Sequence, residues 1–341
     1  MSSIAAWAGD RDSAGLRRWL QIALGVVWVL DAALQYQPYM FSRGSVTNIV
    51  DPASSGNPAA IANSVTEASH ILLHDVTLFN AVFATIQLAI GLGLLWRPTV
   101  RAALAGTIAW GLAVWLLGEG LGGILTGSAS PLTGAPGAAV LYVLLAVLIW
   151  PRHAPLEGLT AQSRIAAAGP AASVAAASRL GPRWPRLFWL LLWGSSAYFL
   201  LQPQVRAPGD LSSTIAGMAG GEPGWLASID RNVANTVGSS GGVVSVVLAI
   251  TFLLVGLAVS IPAATRPALT LAIMSAAAIW VLTENLGGIF TGSGTDPNTG
   301  PLLILLAAAY WPLAPQRRET PETPPVSAAT CQPVTSTPVS Q

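Results

Sequence analysis

Apolar residues run in long blocks along this chain, and polar residues gather in the breaks between them. An α-helix needs about 20 mostly apolar residues to cross a bilayer, with ~17 near the lower end. Eight blocks approach that requirement: Leu20–Gln35, Val76–Trp96, Ala102–Leu117, Gly134–Trp150, Leu187–Leu201, Val243–Ile261, Ala268–Leu282 and Pro301–Trp311. A helical moment separates their faces poorly, because lipid-facing helices are apolar all round. Their ends are clearer. Trp96-Arg97-Pro98, Trp150-Pro151-Arg152 and Trp311-Pro312 each close a block. Trp favours the headgroup level, and Pro cannot continue the helical hydrogen-bond ladder. The pattern predicts an all-α integral membrane protein with eight transmembrane helices. The last is short and spans only if its preceding Asn-Thr-Gly turn lies inside the membrane boundary.

Composition sharpens this. Charged residues make up 9% of the 341 positions, hydrophobic residues 52%, and mean hydropathy is +0.59. A soluble domain carries about 25% charge. The deficit excludes a soluble enzyme, a disordered chain and a nucleic-acid binder. All 16 basic residues are Arg. With the N-terminus in the cytoplasm, only Arg43, Arg206 and Arg231 fall on the outer side of an eight-span path, and the remaining thirteen fall inside. This is the positive-inside asymmetry, and it places both termini in the cytoplasm of a plasma-membrane protein. Arg17 and Arg18 before the first block read as a signal anchor, because no small-residue cleavage site follows. The single Cys331 lies in the tail, which removes internal disulfides and thiolate clusters from consideration.

The chain also repeats itself at an offset of 165 residues. Trp28 pairs with Trp193, Gln37-Pro38 with Gln202-Pro203, Gly91-Leu92 with Gly256-Leu257, and Trp115 with Trp280. The longest match sets Glu119-Gly120-Leu121-Gly122-Gly123-Ile124-Leu125-Thr126-Gly127-Ser128 against Glu284-Asn285-Leu286-Gly287-Gly288-Ile289-Phe290-Thr291-Gly292-Ser293. Four spans per copy keep both copies in one orientation, as two parallel four-helix repeats. The expected organisation is a cytoplasmic N-terminus over 1–18, a first repeat over 19–151 and a cytoplasmic linker over 152–184. A second repeat over 185–312 and a disordered cytoplasmic tail over 313–341 complete it. His153, beside Arg152, reads as a solvated linker residue. Each repeat has a long outer loop, 38–75 and 203–240, and Pro58–His74 reads as a short surface helix within the first.

Intramembrane charge is costly and singles out three carboxylates, Asp31, Glu119 and Glu284. At 1.5 Å per residue, Asp31 lies roughly 20 Å beyond Arg18, and each Glu roughly 27 Å beyond Arg101 or Arg266. Each Glu precedes a Gly-rich break containing Gly122, Gly123, Thr126 and Gly127, or Gly287, Gly288, Thr291 and Gly292. A carboxylate beside the free carbonyls of a helix C-terminus would suit a cation or proton. The same pattern also suits a packing joint in which Glu bonds a neighbouring helix. His70 and His74 are spaced to share a helix face, with Asp75 next. This set would suit zinc, copper, iron, haem or a proton relay, with Asp31 and Glu119 converging on it, or would simply face headgroups. The second copy has Asn235, Ser239 and Ser240 at those positions, and Ser196 in place of Asp31. The outer loops hold Asp51, Glu67, Asp75, Asp210, Glu222, Asp230 and Asp296, and such a surface attracts cations. There is no P-loop, no Gly-x-Ser-x-Gly elbow and no dinucleotide fingerprint.

Four spans per repeat, a long loop after the first and glycines in the second and third give a layout that resembles the DoxX-like group of small bacterial membrane proteins. Its Ala, Arg and Gly bias without Lys is also similar to that of actinobacterial membrane proteins. The resemblance implies a quinone-linked redox component or an accessory to a membrane complex, and assigns no residue. Two further readings stand beside it. One is a cation- or proton-coupled transporter or channel using Asp31, Glu119 and Glu284. The other is a scaffold whose outer loops recruit an extracytoplasmic partner.

Overall fold

The computed structural model describes residues 2–151 and 173–313. Most of the linker, with His153, and the tail from 314, with Cys331, lie outside the described residues. The architecture is all-helical, and no strand occurs among the described residues. The helices are α1 (Ser2–Gln35), α2 (Ala59–His74), α3 (Val76–Leu95), α4 (Val100–Leu117), α5 (Ala138–Leu148) and α6 (Arg183–Leu200). They continue with α7 (Asp210–Met218), α8 (Gly224–Val237), α9 (Gly241–Ala258), α10 (Thr265–Leu282) and α11 (Thr299–Tyr310).

Four stretches are long and apolar enough to cross a membrane: Val76–Leu95, Arg97–Leu117, Gly224–Ala258 and Thr265–Leu282. The third joins α8 to α9 through a break at Gly238, whose φ is +46°. Two expected spans are short helices. Residues 134–137 belong to a loop, with Gly134 and Gly137 at positive φ, so α5 has only 11 residues. Likewise α11 has 12 residues. At 1.5 Å per residue, each covers under about 20 Å. α1 is longer than its apolar block and is continuous from Ser2. The loop 203–240 contains two helices, α7 and α8, and α2 occupies Ala59–His74 in the loop before α3.

Local chemistry sets the ends. The Asp75 carboxylate accepts from the Leu78 amide at 2.9 Å and starts α3 as an N-cap. α3 stops at Trp96, which is extended, two residues before Pro98. Its last carbonyls, on Leu94 and Leu95, accept from the Arg18 guanidinium at 2.9 and 2.5 Å. A cation at a helix C-terminus is favourable. Gln21 donates to the Ile149 carbonyl at 2.9 Å and Arg17 to that of Ala177 at 3.1 Å. The end of the linker is therefore packed. Val174 and Ala175 are fully buried, and the Ala175 amide donates to Ala309 of α11.

Packing pairs α1 with α3 and α4 with α5, then α6 with α9 and α10 with α11. α11 also packs on α5 and α1, which joins the two sets. Glycine permits the closest crossing. A Cβ on Gly91 would stand 2.8 Å from Val29 Cγ2 and 2.9 Å from the Val29 amide nitrogen. Small residues allow such backbone approach between apolar helices. Gly91→Leu must push α3 off α1, at an expected cost of about 2 kcal/mol. Thermal unfolding in detergent checks this, and an unchanged midpoint would refute the close crossing. On the outside, Leu78, Leu92, Val243, Val247, Leu254 and Met274 are exposed, an apolar belt that matches lipid tails.

Candidate functional site

The Glu-Gly-rich segments that follow α4 and α10 take the same unusual turn. Gly120, Leu121, Gly122 and Gly123 have φ of 53°, 60°, 63° and 68°. Asn285, Leu286, Gly287 and Gly288 have φ of 49°, 55°, 75° and 64°. Four successive left-handed residues form one turn of the wrong hand for L-amino acids, at about 1–2 kcal/mol for each non-glycine member. Glycine has a second role here. A Cβ on Gly122 would collide with the Pro136 carbonyl, and one on Gly287 with the Asp296–Pro297 backbone. The turn is thereby pressed onto the loop that leads into α5 or α11. Thr126 and Thr291 finish the motif internally. Their hydroxyls donate to the Gly123 and Gly288 carbonyls at 2.8 and 2.7 Å and accept from the Ser128 and Ser293 amides. Gly127 and Gly292 close it at φ of 79° and 78°.

This turn aims each Glu at the start of the following helix. Glu119 Oε1 accepts from the Ala139 amide at 3.0 Å. Glu284 Oε2 accepts from the Gly300 amide at 3.0 Å, and its Oε1 accepts from the Thr299 hydroxyl. The carboxylates therefore meet the positive ends of α5 and α11, where orphan amides and the helix dipole favour an anion. One of the carbonyls that end each Glu's own helix, expected to share a cation with it, is occupied. The Val114 and Ile279 carbonyls already accept from the amides of Gly118, Glu119, Thr283 and Glu284. The packing-joint alternative thus describes the contacts that are made.

The two Glu residues nevertheless differ. Glu284 is 4% exposed and both its oxygens are bonded. Glu119 keeps Oε2 shielded and without a hydrogen-bond partner, and it lines a polar cavity of about 400 Å³. The cavity lies between the 119–138 segment and residues 295–298, with Asn57, Ser128, Thr133, Asp296 and Asn298 on its walls. Asp296 Oδ1 accepts from the Asn298 amide at 2.7 Å and Oδ2 from the Thr295 hydroxyl at 2.8 Å. Burial pushes the Asp296 carboxyl above its ordinary range, opposed by those two hydrogen bonds. Asp296 and Glu119 thus share the wall of this cavity.

Asp31 lies 1% exposed on α1. The Tyr142 hydroxyl of α5 donates to its Oδ2 at 2.5 Å, and Oδ1 has no hydrogen-bond partner. Trp28 packs on the Tyr142 ring with centroids 4.4 Å apart. At the matched position, Ser196 turns its hydroxyl back to Leu192 of its own helix.

The histidine set does not assemble here. His70 and His74 are exposed on α2, Asp75 is engaged as the cap of α3, and Asp31 is buried against α5. No group of three or more His, Cys, Asp or Glu side chains gathers for a metal among the described residues. Sequence reasoning overlooked two contributors. Tyr142 is an aromatic with a polar tip inside an apolar block, and its hydroxyl was the available signal. Asp296, counted only among the outer-loop acids, stands in an Asp-Pro-Asn turn directly before α11. No family model, curated protein or solved structure matches the chain.

Proposed function

We propose that the chain is an eight-span plasma-membrane protein of two parallel four-helix repeats with both termini in the cytoplasm, and that its outward-facing acidic cavity takes up a cation or proton for transfer across the bilayer. The cavity carries this reading. Glu119 and Asp296 line it from opposite halves, and the buried Asp31–Tyr142 pair joins α1 to α5, the helix whose start Glu119 caps. The equivalent helix pairings and the twin left-handed turns support the repeat, on top of the 165-residue offset. Arginines at the start of α4, α6 and α10 and the acids beyond the ends of α4 and α10 support the orientation. Buried ionisable groups in such a setting are held for ion or proton paths. Glu119 Oε2 and Asp31 Oδ1, both short of a partner, have capacity to accept a proton or ligate a cation.

Reconstitution into liposomes under a pH or sodium gradient tests the proposal. Asp31→Asn and Glu119→Gln should each lower flux at least tenfold, while His70→Ala with His74→Ala leaves it at the parent rate. Absence of flux from the parent, or parental flux in both carboxylate variants, overturns it. A visible absorption band in the purified protein would instead favour the redox-linked role implied by the DoxX-like resemblance. Loss of a co-purifying protein on replacing the 38–75 loop would favour the scaffold.

A further inference from the structure

The contacts of the intramembrane carboxylates bear on the chemistry of the ion itself. Glu284 has both oxygens bonded. Glu119 and Asp31 each have one oxygen bonded and one without a partner, and the unpartnered oxygen is shielded from water in both. Glu119 Oε2 lies against the bare Cα of Gly137, where any Cβ would collide with it and stand 3.1 Å from Trp115 Cδ1. Gly137 has a φ of 108°, and its amide donates to the Gly134 carbonyl at 2.7 Å, which fixes this surface. Asp31 is buried, and Tyr142 holds its other oxygen.

Counter-charge is scarce around both groups. Among the described residues, no basic side chain lines the cavity, and Asp296 is the one other ionisable group on its wall. The turn after α4 packs on the 51–54 turn, with Asp51, and on α2, whose Glu67, His70 and His74 are exposed. Around Asp31, α1 packs on α3 and α11 and bonds α5. α3 carries no ionisable residue, and α5 carries Tyr142 alone. α11 carries Tyr310, whose hydroxyl donates to the Pro185 carbonyl, and follows the loop with Asp296. On α1 itself, Arg18 lies roughly 20 Å back along the helix and bonds the end of α3. A buried carboxylate without a counter-charge is strongly disfavoured, and such a group takes up a proton instead. A metal asks for more than these atoms offer. Hard cations such as calcium and magnesium gather six or more oxygens, and no group of three or more His, Cys, Asp or Glu side chains assembles among the described residues. An oxygen closed against Gly137, or inside the α1–α5 contact, cannot join such a shell.

We infer that the ion is the proton rather than a metal cation, and that Glu119 Oε2 and Asp31 Oδ1 carry it as carboxyl hydrogens. This rests on the transport reading and names its substrate. Loading forms an O–H bond at Glu119 Oε2 as a hydronium ion in the cavity becomes water, once the carboxyl rotates Oε2 off Gly137. Unloading reverses the step. Oε1 can accept from the Ala139 amide in either state, so the acid keeps its seat at the start of α5. One helix serves both carriers. Ala139, which Glu119 meets, and Tyr142, which holds Asp31, are three residues apart on α5 and share a face.

The full chain in liposomes is given a pH gradient in sodium-free buffer, read by a trapped pH dye, and separately a gradient of radioactive sodium at equal pH. Internal pH should follow the gradient without sodium, and the tracer should enter no faster than into protein-free liposomes. Sodium entry that Glu119→Gln abolishes overturns the inference and leaves the transport reading standing. A parent that moves neither ion overturns both. A second readout does not depend on flux. In lipid nanodiscs at neutral pH, the parent should show the infrared carbonyl stretch of protonated carboxyls, shifted in heavy water. Glu119→Gln and Asp31→Asn should each remove one component of that band. A band unchanged in both variants overturns the assignment of the carriers. If Asp31→Asn fails to fold, Glu119→Gln decides alone, since Glu119 lies on the cavity wall.

Discussion

Glu284→Ala should lower the unfolding free energy by about 3 kcal/mol, more than any other single carboxylate removal around the cavity. The Gly300 amide and the Thr299 hydroxyl both donate to this side chain, which is 4% exposed. Hydrogen bonds to a charged group contribute about 1.5–3 kcal/mol each, and a buried donor left without an acceptor costs about 1–3 kcal/mol. Relief of the carboxylate's own desolvation offsets part of the sum. Glu284→Gln keeps one acceptor oxygen and should lose roughly half as much. Glu119→Ala should cost only about 1–2 kcal/mol, because Oε1 holds the Ala139 amide while Oε2 is unbonded. Denaturant or thermal unfolding in one detergent ranks the three. Equal losses for Glu119→Ala and Glu284→Ala would contradict the asymmetry between the two halves.

Gly122→Val should be the most damaging substitution in the chain, with little folded protein recovered. Any Cβ at this position collides with the Pro136 carbonyl and approaches the Gly137 nitrogen at 2.7 Å. These are backbone atoms and cannot rotate away. The φ of 63° adds a β-branched residue in the left-handed region, and strain of that kind costs about 1–3 kcal/mol before the collision is counted. Relieving the clash would pull the turn from the loop before α5 and carry Glu119 from the Ala139 amide. Gly127→Ala is the matched control. It has a similar φ of 79° but nothing within 4 Å of its Cβ, so it should cost about 1 kcal/mol. Recovery of folded protein and its melting point distinguish the two. Gly122→Val behaving like Gly127→Ala would show that the turn does not press on Pro136.

Much of the architecture was legible because it follows from local composition. Four of the apolar blocks coincide, within a few residues at each end, with α3, α4, α9 and α10, since an unbroken apolar run in lipid can satisfy its backbone only as a helix. The block before Trp150 extends beyond its helix because its first residues are Gly-Ala-Pro-Gly, and Gly134 and Gly137 at positive φ hold them in a loop. α7 and α8 escaped notice because their sequences are polar and Gly-rich at the ends, and their helicity depends on packing against α9 and each other.

The candidate site was half legible. Asp31, Glu119 and Glu284 stood out because a carboxylate within an apolar run is rare and costly. Their surroundings did not. Glu119 and Glu284 share a ten-residue motif and differ in what the next loop presents: backbone amides in one case, a hydroxyl and an amide in the other. Asp31 meets Tyr142 across 111 residues of chain, and Asp296 lines the cavity with Glu119 from the other half. The histidines show the converse. Spacing placed His70 and His74 on one face, but α2 turns them outward and Asp75 caps the next helix.

By itself, then, the amino-acid order determined a helical chain with membrane-length apolar segments, an internal match at 165 residues and the three carboxylates set among them. These are properties of hydrophobicity and spacing, which act over a few turns of helix. Only the tertiary structure decided that Glu119 and Glu284 cap helices rather than ligate at their own carbonyls. It also decided that Tyr142 bonds Asp31, that Asp296 faces the same cavity as Glu119, and that Glu284 has both oxygens bonded while Glu119 does not. The physical reason is that hydrogen bonds and charge act over a few ångströms in space, between groups that the fold brings together from distant parts of the chain.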